Sequence, residues 1–290
     1  MRRLIGAWGA LLLAAGPAVA AAAPGDPVVL PPAAAGDAGT EPYATVAADD
    51  EAGLAMQLSN PVAALVSVPL QFNFDGDVGP AKDGFRVTLN AQPVIPFSLG
   101  NKWNLISRTI VPLVWQGDIF PGAGRQFGLG DTVQSLFLSP AKPKGAVWGV
   151  GPVLLVPTGT DRLLSTGKWG AGPSALALKQ NGPWTVGVLA NHIWSFAGDS
   201  ARSNVSATLI NPFVTYTTPT AFTVAFAGDL TRDWTAKRTA LPLIFNAAQL
   251  TRIGGQLVSI GGGVRYYAIS NPASPKGFAA RFTLTLLYPR

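Results

Sequence analysis

The clearest pattern in the chain is an alternation of apolar and polar residues in the segment 84–117. Val87 and Leu89 fall on one parity of that segment, and Arg86 and Thr88 fall on the other. A period of two residues predicts a β-strand with one apolar face and one polar face.

This strand is followed by a predicted tight turn and by a second extended arm with an indole at each end. Gly100 and Asn101 lie in the turn, and Trp103 and Trp115 mark the two ends of the arm. Twelve residues of strand tilted by about 40° span about 30 Å along a barrel axis, which is close to the thickness of a bilayer's hydrocarbon core. The spacing predicts the two aromatic girdles of a membrane-spanning β-barrel. The girdle candidates along the chain are Trp103, Trp115, Trp184, Trp194, Tyr266 and Tyr288.

Similar patterns predict about twelve extended segments, separated by connections that are alternately longer and shorter. The segments lie near residues 62–74, 85–99, 103–116, 127–139, 146–156, 170–179, 184–196, 205–217, 222–230, 240–249, 257–269 and 278–288. An even number of strands, with long loops on one side and short turns on the other, is typical of outer-membrane barrels. The predicted fold is therefore all-β: a transmembrane antiparallel β-barrel of about 12 strands formed by residues 58–290.

Several prolines fall inside the predicted strands. Each one removes a backbone donor that the hydrogen-bond ladder of a closed barrel would use, so bulges or shortened strands are expected there. They are Pro69, Pro93, Pro96, Pro112, Pro152, Pro173 and Pro212.

The composition supports a barrel and excludes several other classes of protein. Apolar residues make up 48% of the chain and charged residues only 12%, about half the charged share of a soluble domain. No stretch after the N-terminus approaches the roughly 20 apolar residues of a spanning helix. The absence of cysteine excludes disulfides and thiolate chemistry. The net charge of +6 is not concentrated in basic runs with interleaved aromatics, so nucleic-acid binding is not expected.

The N-terminal region predicts export from the cytoplasm. Residues 1–23 have the basic start, short apolar core and small-residue cleavage site of a signal peptide. Residues 24–57 are rich in Ala, Pro, Gly and Asp, and we expect them to form either a mobile periplasmic linker or a small plug in the lumen, with a short helix near residues 46–58.

Ionisable residues inside the predicted strands identify the inner face. A basic group facing lipid at the midplane would cost about 2 to 4 kcal/mol, so these groups, together with nearby amides, should face the lumen. The lumen-lining candidates are Arg86, Asn90, Gln92, Arg108, Asp131, Asp229, Arg265 and Arg281, and the same argument includes Lys179. Two interpretations are open: Arg–Asp pairs that fill a closed barrel, or a mildly cationic pore lining that favours anionic or polar solutes.

Catalytic chemistry has one weak candidate. His192 lies three residues before Ser195, which suggests a serine hydrolase built on the barrel wall. Positions three apart on a strand point to opposite faces, however, so the two side chains cannot meet. The glycine-rich segments 128–131 and 261–263 lack a phosphate-binding context. We therefore expect no catalytic residues, no metal site and no cofactor.

Six segments resemble one bacterial family, the outer-membrane transporter-like proteins grouped with the meta-pathway of phenol degradation, some of which are mislabelled neuromedin U. The segments are SNPVAALVSVPLQFNFD at 59–75, NAQPVIPFSL at 90–99, WNLISRTIVPLVWQ at 103–116, FGLGDTVQSLFLSP at 127–140, WGVGPVLLVPT at 148–158 and TLLYPR at 285–290. The resemblance covers nearly the whole domain after the linker. It implies an outer-membrane barrel that passes small molecules, aromatic or hydrophobic ones among them, and it implies no catalytic residues.

The expected function is passive or facilitated passage of small molecules across the outer membrane. The expected partners are outer-membrane lipids, the barrel-assembly machinery and a small-molecule solute, with no nucleic acid. A non-conducting scaffold or adhesin barrel that acts through its surface loops is the main alternative, and a barrel hydrolase is a weaker one.

Overall fold

Backbone hydrogen bonding organises the chain into one short helix and fifteen strands in this computed structural model, which describes residues 51–289. The helix is α1 (Glu51–Leu58), and the strands are β1 (Val66–Val78), β2 (Gly84–Ala91), β3 (Val94–Leu99), β4 (Trp103–Gly117), β5 (Arg125–Leu129), β6 (Thr132–Pro140), β7 (Val147–Val156), β8 (Lys168–Asn181), β9 (Trp184–Gly198), β10 (Ser206–Thr217), β11 (Phe222–Gly228), β12 (Leu230–Asp233), β13 (Arg238–Ile253), β14 (Gln256–Ile269) and β15 (Gly277–Tyr288).

The strands form one closed antiparallel barrel. β2 and β3, β5 and β6, and β11 and β12 each continue a single barrel strand across a short break, which leaves twelve barrel strands. The last strand closes on the first, from the pair Val66 and Tyr288 to the pair Phe74 and Ala280. This closure confirms the predicted fold, including its strand number.

Two sets of connections lie at opposite ends of the barrel. The end that holds the connections 100–102, 141–146, 182–183, 218–221 and 254–255, together with α1 and the end of β15, is called the turn end here. The opposite end, called the loop end, holds 79–83, 118–124, 157–167, 199–205, 234–237 and 270–276. The longest connection, 157–167, lies at the loop end. The predicted alternation is not regular, however, because 141–146 at the turn end is longer than 79–83 and 234–237 at the loop end.

Two predicted boundaries of the first strand were wrong. β1 begins at Val66, not at Val62, because residues 59–65 turn inward and Val62 packs among apolar residues of the barrel interior. β1 also extends to Val78, which places Asp75 inside the strand and not in a loop.

Of the seven prolines predicted to interrupt strands, only Pro93 lies in a strand break, and the other six lie within continuous strands. The other two breaks lie opposite prolines of neighbouring strands. β2 ends and β3 begins on either side of Gln92 and Pro93. The break between β5 and β6 faces Pro112, whose carbonyl accepts a hydrogen bond from the Gly130 backbone N–H. The break between β11 and β12 lies at Asp229, and the neighbouring strands β10 and β13 contain Pro212 and Pro242.

The outer face of the barrel is apolar. Large side chains such as Phe226, Phe245 and Phe278 point outward, and Phe278 is 75% exposed. Such a surface is unfavourable in water and suits contact with lipid acyl chains. Within residues 51–289, no helix is both long and apolar enough to cross a bilayer.

The inner wall is divided into an apolar sector and a polar sector. Inward side chains of β4 and β6 to β10, among them Phe137, Ile193 and Leu209, pack into one buried cluster. The polar sector lies on β1, β2, β4, β14 and β15. One side of the barrel is therefore filled largely like a soluble protein core, and the buried arginines lie on the other side. Polar residues such as Asn191 and Asn211 are also buried on β9 and β10.

Helix α1 packs at the turn end. Its residues Leu54 and Ala55 are buried in a cluster with Leu250 and Leu287. The Gln180 side-chain amide donates a 3.0 Å hydrogen bond to the carbonyl of Met56, further fixing the helix. Of the predicted 24–57 segment, residues 51–57 thus pack against the turn end of the barrel, whereas the rest of it and the predicted signal peptide, residues 1–23, lie outside the described residues.

The glycines of β14 allow a close approach to β13, and they provide a stability test. A Cβ on the inward Gly263 would collide with the Asn246 side-chain oxygen and the Phe245 carbonyl. A Cβ on the outward Gly262 would meet nothing nearer than the Arg281 carbonyl at 3.7 Å.

We expect Gly263→Ala to lower the free energy of unfolding by about 1 to 3 kcal/mol, because the barrel wall must shift to admit the methyl group. Urea unfolding of the protein in lipid vesicles, followed by tryptophan fluorescence, measures this. Gly262→Ala is the matched control and should unfold close to the wild type. Equal losses in the two variants would show that the close approach is not what requires glycine.

Candidate functional site

The polar sector is centred on a buried ion pair between two strands that are not neighbours. Arg265 of β14 and Asp75 of β1 approach within 2.7 Å, with β15 between their strands. The Tyr267 hydroxyl donates to the same Asp75 oxygen at 2.9 Å and accepts from Arg265 at 2.7 Å. Both charged side chains are almost fully buried. The pair therefore links β14 to β1 across β15 on the inner face of the barrel.

Three further arginines are held by neutral amides. Arg86 donates to the side-chain oxygen of Gln116 at 2.8 Å, and Arg108 donates to that of Gln92 at 2.7 Å. Arg281 donates in the same way to Asn73 at 2.8 Å. An amide orients a guanidinium without neutralising it, so these contacts differ from the Arg–Asp pairs that one interpretation of the sequence expected throughout the lumen.

Asp229 is the second buried acid of this region. It lies at the break between β11 and β12, and its Oδ1 accepts a 2.6 Å hydrogen bond from the Asn211 amide. Among the residues described, its other carboxylate oxygen is buried without a hydrogen-bond partner.

Buried charge in the barrel is unbalanced. Over residues 51–289, the buried ionisable side chains comprise five cations and two acids. They are Arg86, Arg108, Lys168, Arg265, Arg281, Asp75 and Asp229. Since buried charges of one sign are screened little, the lumen should attract small anions.

The remaining lumen candidates occupy different positions. The side-chain amides of Asn90 and Gln92 both approach the side-chain oxygen of Gln71 at 3.4 Å, so these two belong to the polar sector. Lys179 does not face the lumen, because it lies on the outward parity of β8 and is exposed near the turn end. Its long side chain can reach the membrane interface from there, which removes the cost that the sequence argument assigned to it.

Asp131 lies apart from the arginines of the polar sector, and its carboxylate anchors the loop 157–167. Its carboxylate accepts hydrogen bonds from the Gly159 backbone at 3.1 Å, from the Ser165 hydroxyl at 2.6 Å, and from both the backbone and the hydroxyl of Thr166 at 2.6 Å. The inward Gly128 of β5 leaves room for the same loop, since a Cβ there would collide with Thr160. The loop therefore packs against the inner face of β5 and narrows the loop end.

A partly open cavity lies between α1 and the central arginines Arg108 and Arg281. Its volume is about 200 Å³, and its wall combines the arginines Arg108 and Arg281 with apolar side chains such as Leu189 and Phe213. Helix α1 and residues 59–61 line it on the side of the turn end. Small alanines on β11 and β13 leave this space unfilled.

The girdle candidates all lie on the outer face, near one end of the barrel or the other. Trp103 contacts the ring of Trp148 at the turn end, with centroids 5.9 Å apart, and Trp184 contacts Tyr216 at 4.9 Å. Tyr288 is exposed at the same end.

At the loop end, Trp115 contacts Phe85 with ring centroids 5.1 Å apart, and Tyr266 contacts Phe278 at 4.9 Å. Trp194 stacks on His192 at 4.0 Å. The aromatic side chains therefore form two bands on the outer surface.

The two residues of the weak hydrolase candidate, His192 and Ser195, lie on opposite faces of the barrel wall. His192 lies on the outer face of β9, 2.7 Å from the Thr208 hydroxyl. The Ser195 hydroxyl instead accepts a hydrogen bond from the Val205 backbone at 2.9 Å. The two side chains point to opposite faces, as the strand period predicts.

Several residues of the site were missed from the sequence. Asn73 and Asp75 bind arginines, Gln116 and Asn211 complete the network, and Tyr267 bridges the ion pair. The parity of β1 carried a usable signal, since Asn73 and Asp75 continue its polar face. No signal of this kind indicated Tyr267, because aromatic residues occur on both faces of β14.

Comparison with known proteins shows a similarity in fold. No protein-family model matches the chain, and no curated protein sequence matches it. Among solved structures, the barrel is similar to the crystal structure of an outer membrane channel from Pseudomonas putida F1, with a TM-score of 0.62 and 15% sequence identity over 86% of this chain and 100% of that chain. At this identity, the similarity supports the fold.

The ion pair gives a prediction about stability. Asp75→Ala should lower the free energy of unfolding by about 3 to 5 kcal/mol, because it leaves the Arg265 guanidinium buried without its acid. The midpoint of urea unfolding in lipid vesicles measures the change. Asp83→Ala, at an exposed loop position, is the control and should stay within about 0.5 kcal/mol of the wild type. A small loss for Asp75→Ala would mean that the pair does not hold the three strands together.

The loop anchor gives a second prediction. Asp131→Ala removes the acceptor for four hydrogen bonds and should release the loop 157–167, which contains the exposed Arg162. We expect trypsin to cleave after Arg162 about tenfold faster or more, since cleavage follows the population of the open loop. Mass spectrometry of timed digests identifies the site, with Asp83→Ala as the control. Unchanged cleavage would contradict the anchoring role.

Proposed function

We propose that the protein is an outer-membrane channel for passive or facilitated passage of small molecules. The observation that carries the proposal is a closed barrel that is apolar outside and cationic inside, with a cavity in its lumen. The similarity to an outer membrane channel supports it. A barrel that served only as an anchor for surface loops would not need buried, orientated arginines.

In this proposal the turn end faces the periplasm and the loop end faces outward, which is the usual orientation of such barrels. Helix α1 and the loop 157–167 then restrict the path at its two ends. A twelve-strand barrel has a narrow interior in any case, so the channel conducts small solutes through a restricted path and not through a wide pore.

The proposed solutes are small and include molecules with aromatic or hydrophobic bodies. The apolar sector around Phe137 and Leu209 offers a surface for such bodies, and the arginines favour a negative or polar group. This fits the phenol-degradation family that the sequence resembles, and we propose membership of that family on these grounds. Outer-membrane lipids and the barrel-assembly machinery are the proposed partners, the latter because the alternating, aromatic-rich β15 suits its recognition.

Conductance in planar lipid bilayers tests the channel directly. The purified protein should give reproducible steps of small conductance with a preference for anions, because buried cations outnumber buried acids. A non-conducting scaffold or adhesin would give none. Absence of steps from protein shown to be folded by its heat-modifiable migration in gels would reject the proposal.

The position of helix α1 gives a sharper prediction. Leu54→Asp places a charge in the apolar cluster that holds α1, which costs several kcal/mol and should displace the helix. The displaced form should become the major one, and conductance should rise. Ala52→Asp adds the same charge to the first turn of α1, where acids are tolerated, and is the matched control. Equal conductance in the two variants would show that α1 does not restrict the path.

A further inference from the structure

We propose that the cavity between the central arginines and α1 is a binding site for small organic carboxylates with a compact apolar body. The proposal rests on the proposed channel function, of which it defines a solute class. Three features of the cavity wall support it: its charge, its apolar surface and its size.

The charge of the wall is entirely positive. Within the described part of the chain, the ionisable residues that line the cavity are Arg108 and Arg281, and no acidic side chain lines it. Arg108 is buried and held by the neutral amide of Gln92, so its guanidinium keeps its charge and its direction. A buried guanidinium orientated in this way can bind a carboxylate through parallel hydrogen bonds.

The rest of the wall is largely apolar. Leu189, Phe213, Ile244 and Leu250 line the cavity, and Leu58 of α1 contributes to its floor. An inorganic anion or a sugar acid would leave these surfaces without a matching group. A ligand with an acidic group at one end and a hydrocarbon body at the other would satisfy both parts of the wall.

The size of the cavity limits the body of the ligand. Its volume of about 200 Å³ exceeds the roughly 150 Å³ of a protein cavity that accepts benzene. The difference leaves room for a carboxylate on a single ring. Larger bodies would displace α1 from its packing against Leu250.

Calorimetric titration of the full-length protein in lipid nanodiscs tests the site, with benzoate as the probe and benzyl alcohol as its uncharged counterpart. We expect benzoate to bind at least about tenfold more tightly than benzyl alcohol, because only benzoate pairs with the arginines. Arg108→Gln should weaken benzoate binding about tenfold or more, and Arg108→Lys should weaken it less. Arg125→Gln, at an exposed position on β5, is the matched control and should bind like the wild type.

Equal binding of the two probes, or full benzoate affinity in a folded Arg108→Gln variant, would overturn the proposal. Bilayer recordings on the same preparations separate it from the channel function. Conductance without benzoate binding would remove the site and keep the channel, whereas benzoate binding without conductance would keep the site and remove the channel. If both hold, benzoate should reduce the wild-type conductance and leave that of Arg108→Gln less affected.

Discussion

Closure of the hydrogen-bond ladder is the constraint on which the rest of this structure depends. A strand edge in lipid would leave backbone groups unpaired at a cost of several kcal/mol each, so β15 must return to β1. Closure separates an outer face, which lipid requires to be apolar, from an inner face that is free to carry charge. The ion pair of Arg265 and Asp75 then acts across three strands at the seam, where closure is completed.

The places where the ladder is interrupted are also where polar side chains enter the interior. Gln92, Asp131 and Asp229 each lie at a break between two parts of one barrel strand. Prolines in or beside the breaks cannot donate to the ladder, so the backbone departs from regular pairing there. The departure turns these side chains toward Arg108, the loop 157–167 and Asn211 respectively. The same prolines that weaken the wall locally thus help to build its inner network.

The sequence predicted the closed barrel, its strand number and the inward direction of Arg86, Arg108 and Arg281, because alternation and the cost of charge in lipid are local properties. It did not predict which side chains meet across the lumen, because that depends on the register of strands far apart in the chain. The apolar sector was missed for a related reason. Strands β6 to β10 are apolar on both faces over much of their length, so their inward residues have no period to reveal them.

The use of amides to hold arginines changes the electrostatics of the lumen. A lumen filled with Arg–Asp pairs would be neutral, whereas Arg108 bound to Gln92 and Arg281 bound to Asn73 keep their positive charge. With α1 at one end and the loop 157–167 at the other, water has restricted access and the effective dielectric constant is low, which strengthens the attraction of these arginines for an anion. Movement of either element would admit water and weaken that attraction. In the proposed channel, retention of an anion and opening of the path would therefore oppose each other, because the contacts that hold the anion weaken when water enters.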